Sequence, residues 1–230
     1  MRIGVLGGGV MGTALAARLR AAGHEVTTGS AGRYEAAARQ PVVFLAIAWP
    51  HVLGAVSRLR DALTGRIVID CTNPESDDGG LTIGWDDSGA ETIARLLPET
   101  RVVKAFNCLY AEHLRTTHPP ASRQITVLYC GDDALSKSTA AELIESCGFD
   151  ALDAGALPVA RLLEPMAMLT VALVRQQKWG PLGIAWHVRR GGRGACEHCG
   201  QPATLVSRER HALCGNCFLA ESQSRLAQAR

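Results

Sequence analysis

The 230-residue sequence has almost no net charge: 24 Lys and Arg against 22 Asp and Glu leave +2. That removes the strong field by which proteins gather onto nucleic acid or an anionic membrane. It has no long apolar run. The longest, about residues 166–174, is far short of the ~20 residues that a membrane span needs. It lacks a leader too: Met1 runs straight into a strand-like apolar stretch, without the basic start and apolar core of a signal peptide. Together these lacks predict a cytoplasmic protein with neither membrane nor nucleic acid as a partner. Lysine is scarce, 3 residues against 21 Arg, but the bias carries no functional message. What remains is 47% apolar and 20% charged, a globular balance. The length suffices for one α/β domain and a small appendage.

The first stretch carries the clearest signal. Residues 2–6 form an apolar run that reads as a buried strand. Gly7-Gly8-Gly9-Val10-Met11-Gly12 follows, and residues 13–22 are rich in helix-forming Ala and Leu. Gly7, Gly9 and Gly12 thus fit G-x-G-x-x-G between strand and helix. The first glycine serves the tight turn, the second the approach of a pyrophosphate, and the third close packing of helix on strand. The free N–H groups and positive dipole end of the helix favour phosphate there. A second strand, residues 25–29, ends in Thr28-Gly29-Ser30-Ala31-Gly32-Arg33, with no acid before Glu35. An NAD site normally places an acid here for the ribose 2′-hydroxyl. The hydroxyl of Ser30 and the guanidinium of Arg33 suit a 2′-phosphate instead, so the expected cofactor is NADP.

Further strands are predicted over residues 42–48, 66–70, 101–106, 125–130 and 149–153. Helical stretches lie at about 34–39, 51–63, 89–97, 134–147 and 158–179. This alternation predicts a doubly wound parallel sheet. Too few residues separate Ser30 from Val42 for a third strand with its own connection, so one edge strand of the usual six is expected to be absent. Ligands in such sheets bind beyond the carboxyl ends of the strands. That makes Trp49, His51, Asn73 and Asn107 the cleft candidates, although His51 reads more simply as an N-terminal helix residue. The helix over 158–179 is apolar nearly all round and should be covered, either by its own sheet or by a second subunit.

Taken in order, GGGVMG, TTGSAGR, FLAIAWPH, VIDCTNP, VVKAFN, YCGDD, FDALDAGALPVARLLEPMAML and GPLGIAW resemble one family, the NADPH-dependent reductases of the deazaflavin coenzyme F420 and related dinucleotide-binding reductases. The resemblance spans about residues 1–188. It implies a Rossmann-type domain (1–155) and a helical segment (156–188) that makes a homodimer. It implies Gly7, Gly9, Val10, Met11 and Gly12 at the pyrophosphate, and Ser30 and Arg33 at the 2′-phosphate. Ala48 and Trp49 would lie beside the nicotinamide ribose. F420 would be the small-molecule redox acceptor, stacked in a cleft closed by residues 155–164. Arg161 and Glu164 read equally well as an i,i+3 ion pair on a helix. No acid–base residue is implied, because both reacting atoms would belong to cofactors. The short stretch after Arg33 offers no second cation for the 2′-phosphate.

Beyond residue 188 the sequence changes character. Two residues separate Cys196 from Cys199, and two separate Cys214 from Cys217, with fourteen residues between the pairs. In a reducing compartment such pairs read as metal ligands, and four thiolates suit a closed, structural tetrahedral zinc site. A hairpin over residues 205–213 and a helix over 218–229 would complete a treble-clef-like module (189–230). Some forty residues cannot build a core alone, so zinc would supply the folding energy. The tail is net +4, which four thiolates and a zinc ion would lower to about +2, so a protein partner is expected rather than nucleic acid. Cys71, Cys108, Cys130 and Cys147 read as buried small residues, with Cys108 close to the cleft.

Overall fold

The computed structural model describes residues 1–76, 79–115, 125–186 and the strands at 205–206 and 212–213. The chain divides into two compact units, Met1–Ala185 and Trp186–Arg230.

The first unit is a seven-stranded sheet covered by helices. Its strands are β1 (Arg2–Leu6), β2 (Glu25–Gly29), β3 (Val42–Leu45), β4 (Ile67–Asp70), β5 (Arg101–Ala105), β6 (Thr126–Gly131) and β7 (Asp150–Gly155), in the spatial order 2-1-3-4-5-6-7. β1 to β5 are mutually parallel. The inner strands β1, β3 and β4 are apolar on both faces because helices cover both sides, as the near-continuous runs in the sequence require. β2 is the edge, so the strand that would lie beyond it is absent. Its place is taken by the one-turn helix α2 (Glu35–Ala38), which packs across β1; a Cβ on Gly4 would fall 1.9 Å from the Ala37 carbonyl oxygen.

One expectation is corrected. β6 pairs antiparallel with β5, so the sheet is mixed rather than wholly parallel. A parallel return needs a connection that crosses the full height of the sheet. The described helix between these strands, α6 (Ala111–Arg115), is only about 7.5 Å long at the usual helical rise. It packs on α1 (Val10–Ala21), and β6 starts from the rim where β5 ends. β7 then runs parallel to β6 after the crossover helix α7 (Ala134–Ser146).

The helical stretch expected over 51–63 is two helices, α3 (Trp49–Arg58) and α4 (Arg60–Leu63), and α5 (Gly89–Leu96) precedes β5. After β7 comes a 3-10 turn, Leu157–Val159, and the long helix α8 (Ala160–Gln177). Pro165 lies inside α8, which removes the N–H that would bond to the carbonyl of residue 161. Ala160, Leu163, Glu164, Ala167 and Thr170 form a buried stripe at helical spacing, packed on the chain's own fold. The opposite side leaves Leu162 63% and Leu169 58% exposed. Leu157–Gln177 has the length of a membrane span and contains an 18-residue window of mean hydropathy 1.6, but the buried carboxylate of Glu164 fastens the helix to the sheet.

In the second unit, β8 (Leu205–Val206) and β9 (Ala212–Leu213) form the expected antiparallel hairpin, with Leu205 opposite Leu213. Cys196, Cys199, Cys214 and Cys217 lie outside the described residues. Among the described residues no cluster of His, Cys, Asp or Glu could hold a metal ion.

Candidate functional site

The glycine loop is built as its sequence demands. α1 starts at Val10 with Gly9 as N-cap, three residues earlier than the Ala-rich pattern indicated. No acidic residue stands in its first turn, so the N–H groups of Val10, Met11 and Gly12 face an anion-compatible end. The three signature glycines have different physical reasons. Gly7 has φ +138° and a Cβ there would sit 2.1 Å from the Ala46 carbonyl oxygen. A Cβ on Gly12 would sit 2.1 Å from the Gly7 carbonyl oxygen. A Cβ on Gly9 would meet nothing within 4 Å. The chain therefore packs tightly behind the loop and leaves open space at Gly9, where a pyrophosphate needs it.

At the end of β2, Ser30 to Arg33 form a tight turn. Arg33 N–H donates to the Ser30 carbonyl at 3.0 Å, and Ala31 and Gly32 have φ of +50° and +82°, the signature of a type I′ turn. Both Ser30 and Arg33 are exposed on it. A cation from outside the stretch that follows Arg33 approaches this turn. Arg58, at the end of α3, reaches the Gly32 carbonyl oxygen at 3.4 Å and lies over the Tyr34 ring, 5.9 Å from its centroid. Its distance in sequence concealed it.

Beyond the carboxyl ends of β3 and β4 lies a cleft of about 500 Å³. It is lined by Gly9, Val10 and Met11, by Ala46–Pro50 and by the segment from Cys71 to Ser76. Ala48 is the N-cap of α3 and Trp49 its first residue, so both are brought to the cleft with the glycine loop. Ser30 and Arg33 are not among its lining residues; they stand on the adjoining turn. Asn73 lines the cleft, and its amide donates to the Asn107 carbonyl at 2.9 Å. Asn107 in turn donates to Asn73 Oδ1 at 3.1 Å and to the Leu163 carbonyl at 2.9 Å. His51 sits exposed in the first turn of α3, outside the cleft. Burial pushes the Cys108 thiol up to about 12 and the Cys71 thiol well above its ordinary value. Neither is a thiolate near neutral pH, and Cys108 donates to the Leu163 carbonyl instead.

The i,i+3 pairing of Arg161 with Glu164 is also corrected. Arg161 makes a two-pronged ion pair with Glu91 of α5, at 2.9 and 2.7 Å. That pair holds the Glu91 carboxyl below its usual range, mainly through the Arg161 hydrogen bond. Glu164 turns inward to Lys104 of β5 at 2.7 Å, and Lys104 also donates to Asp70 of β4 at 2.8 Å. All three side chains are fully buried. Asp70 and Lys104 are register partners on neighbouring strands, which places them side by side. Sequence reading missed this cluster, although a lone Asp and a lone Lys inside otherwise apolar strands are its visible mark.

The fold and the glycine cradle define a Rossmann-type dinucleotide-binding protein. Comparison with known proteins specifies which kind. The family model described as NADP oxidoreductase, coenzyme F420-dependent, matches residues 29–74. The F420-dependent NADP reductase of Methanothermobacter marburgensis is 32% identical over 208 residues, covering 75% of this chain and 92% of its own. The metalloreductase STEAP3 of Rattus norvegicus is 34% identical over 183 residues, 73% of this chain; the match spans only 36% of that longer protein. Among solved structures, an F420-dependent NADP reductase candidate of Arthrobacter sp. FB24 superposes with a TM-score of 0.73 at 26% identity, covering 80% of this chain and 99% of that one. The chain belongs to the family of F420-dependent NADP reductases and is an NADP-dependent oxidoreductase.

Proposed function

We propose that this protein transfers a hydride between NADPH and a deazaflavin acceptor of the coenzyme F420 type. The observation that carries the reading is the match along 92% of the Methanothermobacter reductase, joined to a cleft that opens directly beside the glycine loop. The residues fit the nucleotide: the loop is open at Gly9, the first turn of α1 has no acid, and Ser30 and Arg33 offer a hydroxyl and a guanidinium for a 2′-phosphate. When bound, NADPH would supply the hydride from nicotinamide C4. The chain would supply geometry. Ala48, Trp49 and Asn73 would hold two flat rings about 3–3.5 Å apart and keep water out. Among the described residues that line the cleft only Glu75 carries charge, and it lies 3.6 Å from Arg175; no acid–base residue is assigned. The test is absorbance of NADPH mixed with the deazaflavin coenzyme. Protein that binds NADPH but passes no hydride to the deazaflavin sinks the reading. A ferric or flavin acceptor is the second reading, favoured by the 34% identity to the metalloreductase, and a panel of acceptors separates the two.

The exposed Leu162 and Leu169 on α8 support a homodimer through that helix. The four cysteines support a zinc module in a cytoplasmic protein: the β8–β9 hairpin lies between the two pairs, with Cys214 directly after β9 in sequence. Such a module would serve a protein partner rather than the hydride step.

A further inference from the structure

The hydrogen-bond roles in the buried cluster fix its charge. Lys104 Nζ has three short contacts, all to acceptors: Asp70 Oδ2 at 2.8 Å, the Thr72 carbonyl at 2.6 Å and Glu164 Oε1 at 2.7 Å. Three acceptors consume the three protons of an ammonium. Asp70 Oδ1 accepts from the Thr72 N–H at 2.9 Å and the Thr72 hydroxyl at 2.7 Å. Glu164 accepts from the Gly89 N–H at 2.9 Å and the Ala90 N–H at 3.2 Å. The partners of the two carboxyl groups are N–H, ammonium and hydroxyl groups, an arrangement that suits two carboxylates; burial pushes the Glu164 carboxyl up and the Lys104 ammonium beside it pulls it down. Two carboxylates and one ammonium leave a negative charge with no exposure to water. The N-terminus of α5 offsets only about half a charge of it.

The cluster lies against the cleft. Asp70 ends β4, and the next three residues, Cys71, Thr72 and Asn73, line the cavity. Trp49 forms another part of that wall, and its ring and the Glu164 carboxylate both lie beside Gly89. A Cβ on Gly89 would meet the Trp49 ring at 3.0 Å and Glu164 Oε1 at 3.3 Å. None of the described residues that line the cleft is cationic, so none of them cancels the field from below. Charges this deeply buried are screened far less than charges in water.

We propose that Asp70, Lys104 and Glu164 form an electrostatic floor to the nicotinamide pocket that favours the oxidised, positively charged ring over the reduced, neutral one. The assisted direction is therefore hydride departure from NADPH. In that step the C4–H bond breaks and a C–H bond forms on the deazaflavin-class acceptor; hydrogen and both bonding electrons pass together, the acceptor gains one negative charge and the nicotinamide ring one positive charge. None of the three is a catalytic residue; they act through the field and by pinning Thr72. The proposal rests on the NADP reading above.

The test is the ratio of dissociation constants for NADP+ and NADPH, measured on the full chain without acceptor. Wild-type protein is expected to bind NADP+ at least as tightly as NADPH. Glu164→Gln removes a charge at nearly constant shape and should shift the ratio toward NADPH by about five- to tenfold. Asp70→Asn should shift it the same way, so one folded variant suffices. A ratio unchanged in a folded variant overturns the proposal, as does wild-type protein that binds NADPH more than tenfold tighter than NADP+. Failure to bind either nucleotide refutes the NADP reading itself, a different result.

Discussion

At the scale of single residues, the structure separates side chains that face solvent from those that do not. Arg33 stands exposed on a type I′ turn, free to meet a phosphate. Replacing it with Ala should weaken NADPH binding by about 1–3 kcal/mol, the worth of a charged hydrogen bond, and leave NADH nearly unchanged. Titration with both nucleotides checks this, and equal loss for both would remove Arg33 from the 2′-phosphate. The sequence made this residue legible because local chemistry alone marks it. It hid Arg58, whose relation to the same turn exists only after α3 has folded back over Tyr34. It hid the role of Lys104 too. A strand pattern shows that residue 104 lies among apolar neighbours, but not which carboxylates, 34 and 60 residues away, will meet it.

At the scale of elements, the parallel half of the sheet was legible and the other half less so. The runs of β1, β3 and β4 are apolar on both faces, and their glycine and turn punctuation is plain. The direction of β6 carries no local mark, because a strand has the same composition whichever way it runs. Lys104 binds several elements into one: β4 through Asp70, α8 through Glu164 and, through Glu164, the start of α5. Lys104→Met would leave two buried carboxylates without their counter-charge. It should cost about 3–5 kcal/mol, read from urea unfolding. Adding Glu164→Leu should return part of that loss, whereas additive costs would show that the pair does not act together. The outer side of α8 gives a separate prediction. Leu169→Glu should halve the solution mass by light scattering without unfolding the sheet; a wild-type monomer would refute a dimer through this face.

For the whole molecule, the chain divides into two compact units between Ala185 and Trp186. The first unit has a large apolar core of its own. The tail's fold was only partly readable in advance: its hairpin is present, and its four cysteines lie beyond the described residues. Cys196→Ser should release one zinc per chain, counted by elemental analysis, and abolish ordered tail resonances while the thermal transition of the first unit stays in place. Loss of that transition as well would show that the two units do not fold independently.

The reversed strand β6 has one more consequence. Because it descends from the rim where β5 ends, β7 finishes opposite Cys130, itself the register partner of Lys104, and α8 sets off from that level. Glu164 is thus delivered to a lysine made sixty residues earlier. On the ribosome, β4 and β5 emerge with Asp70 and Lys104 but without the second carboxylate and the helix that seals them from water. The ammonium cannot be fully dehydrated until residue 164 arrives. The sheet therefore closes last at its chemical centre, and a chain cut off before α8 would leave that centre wet and unfinished.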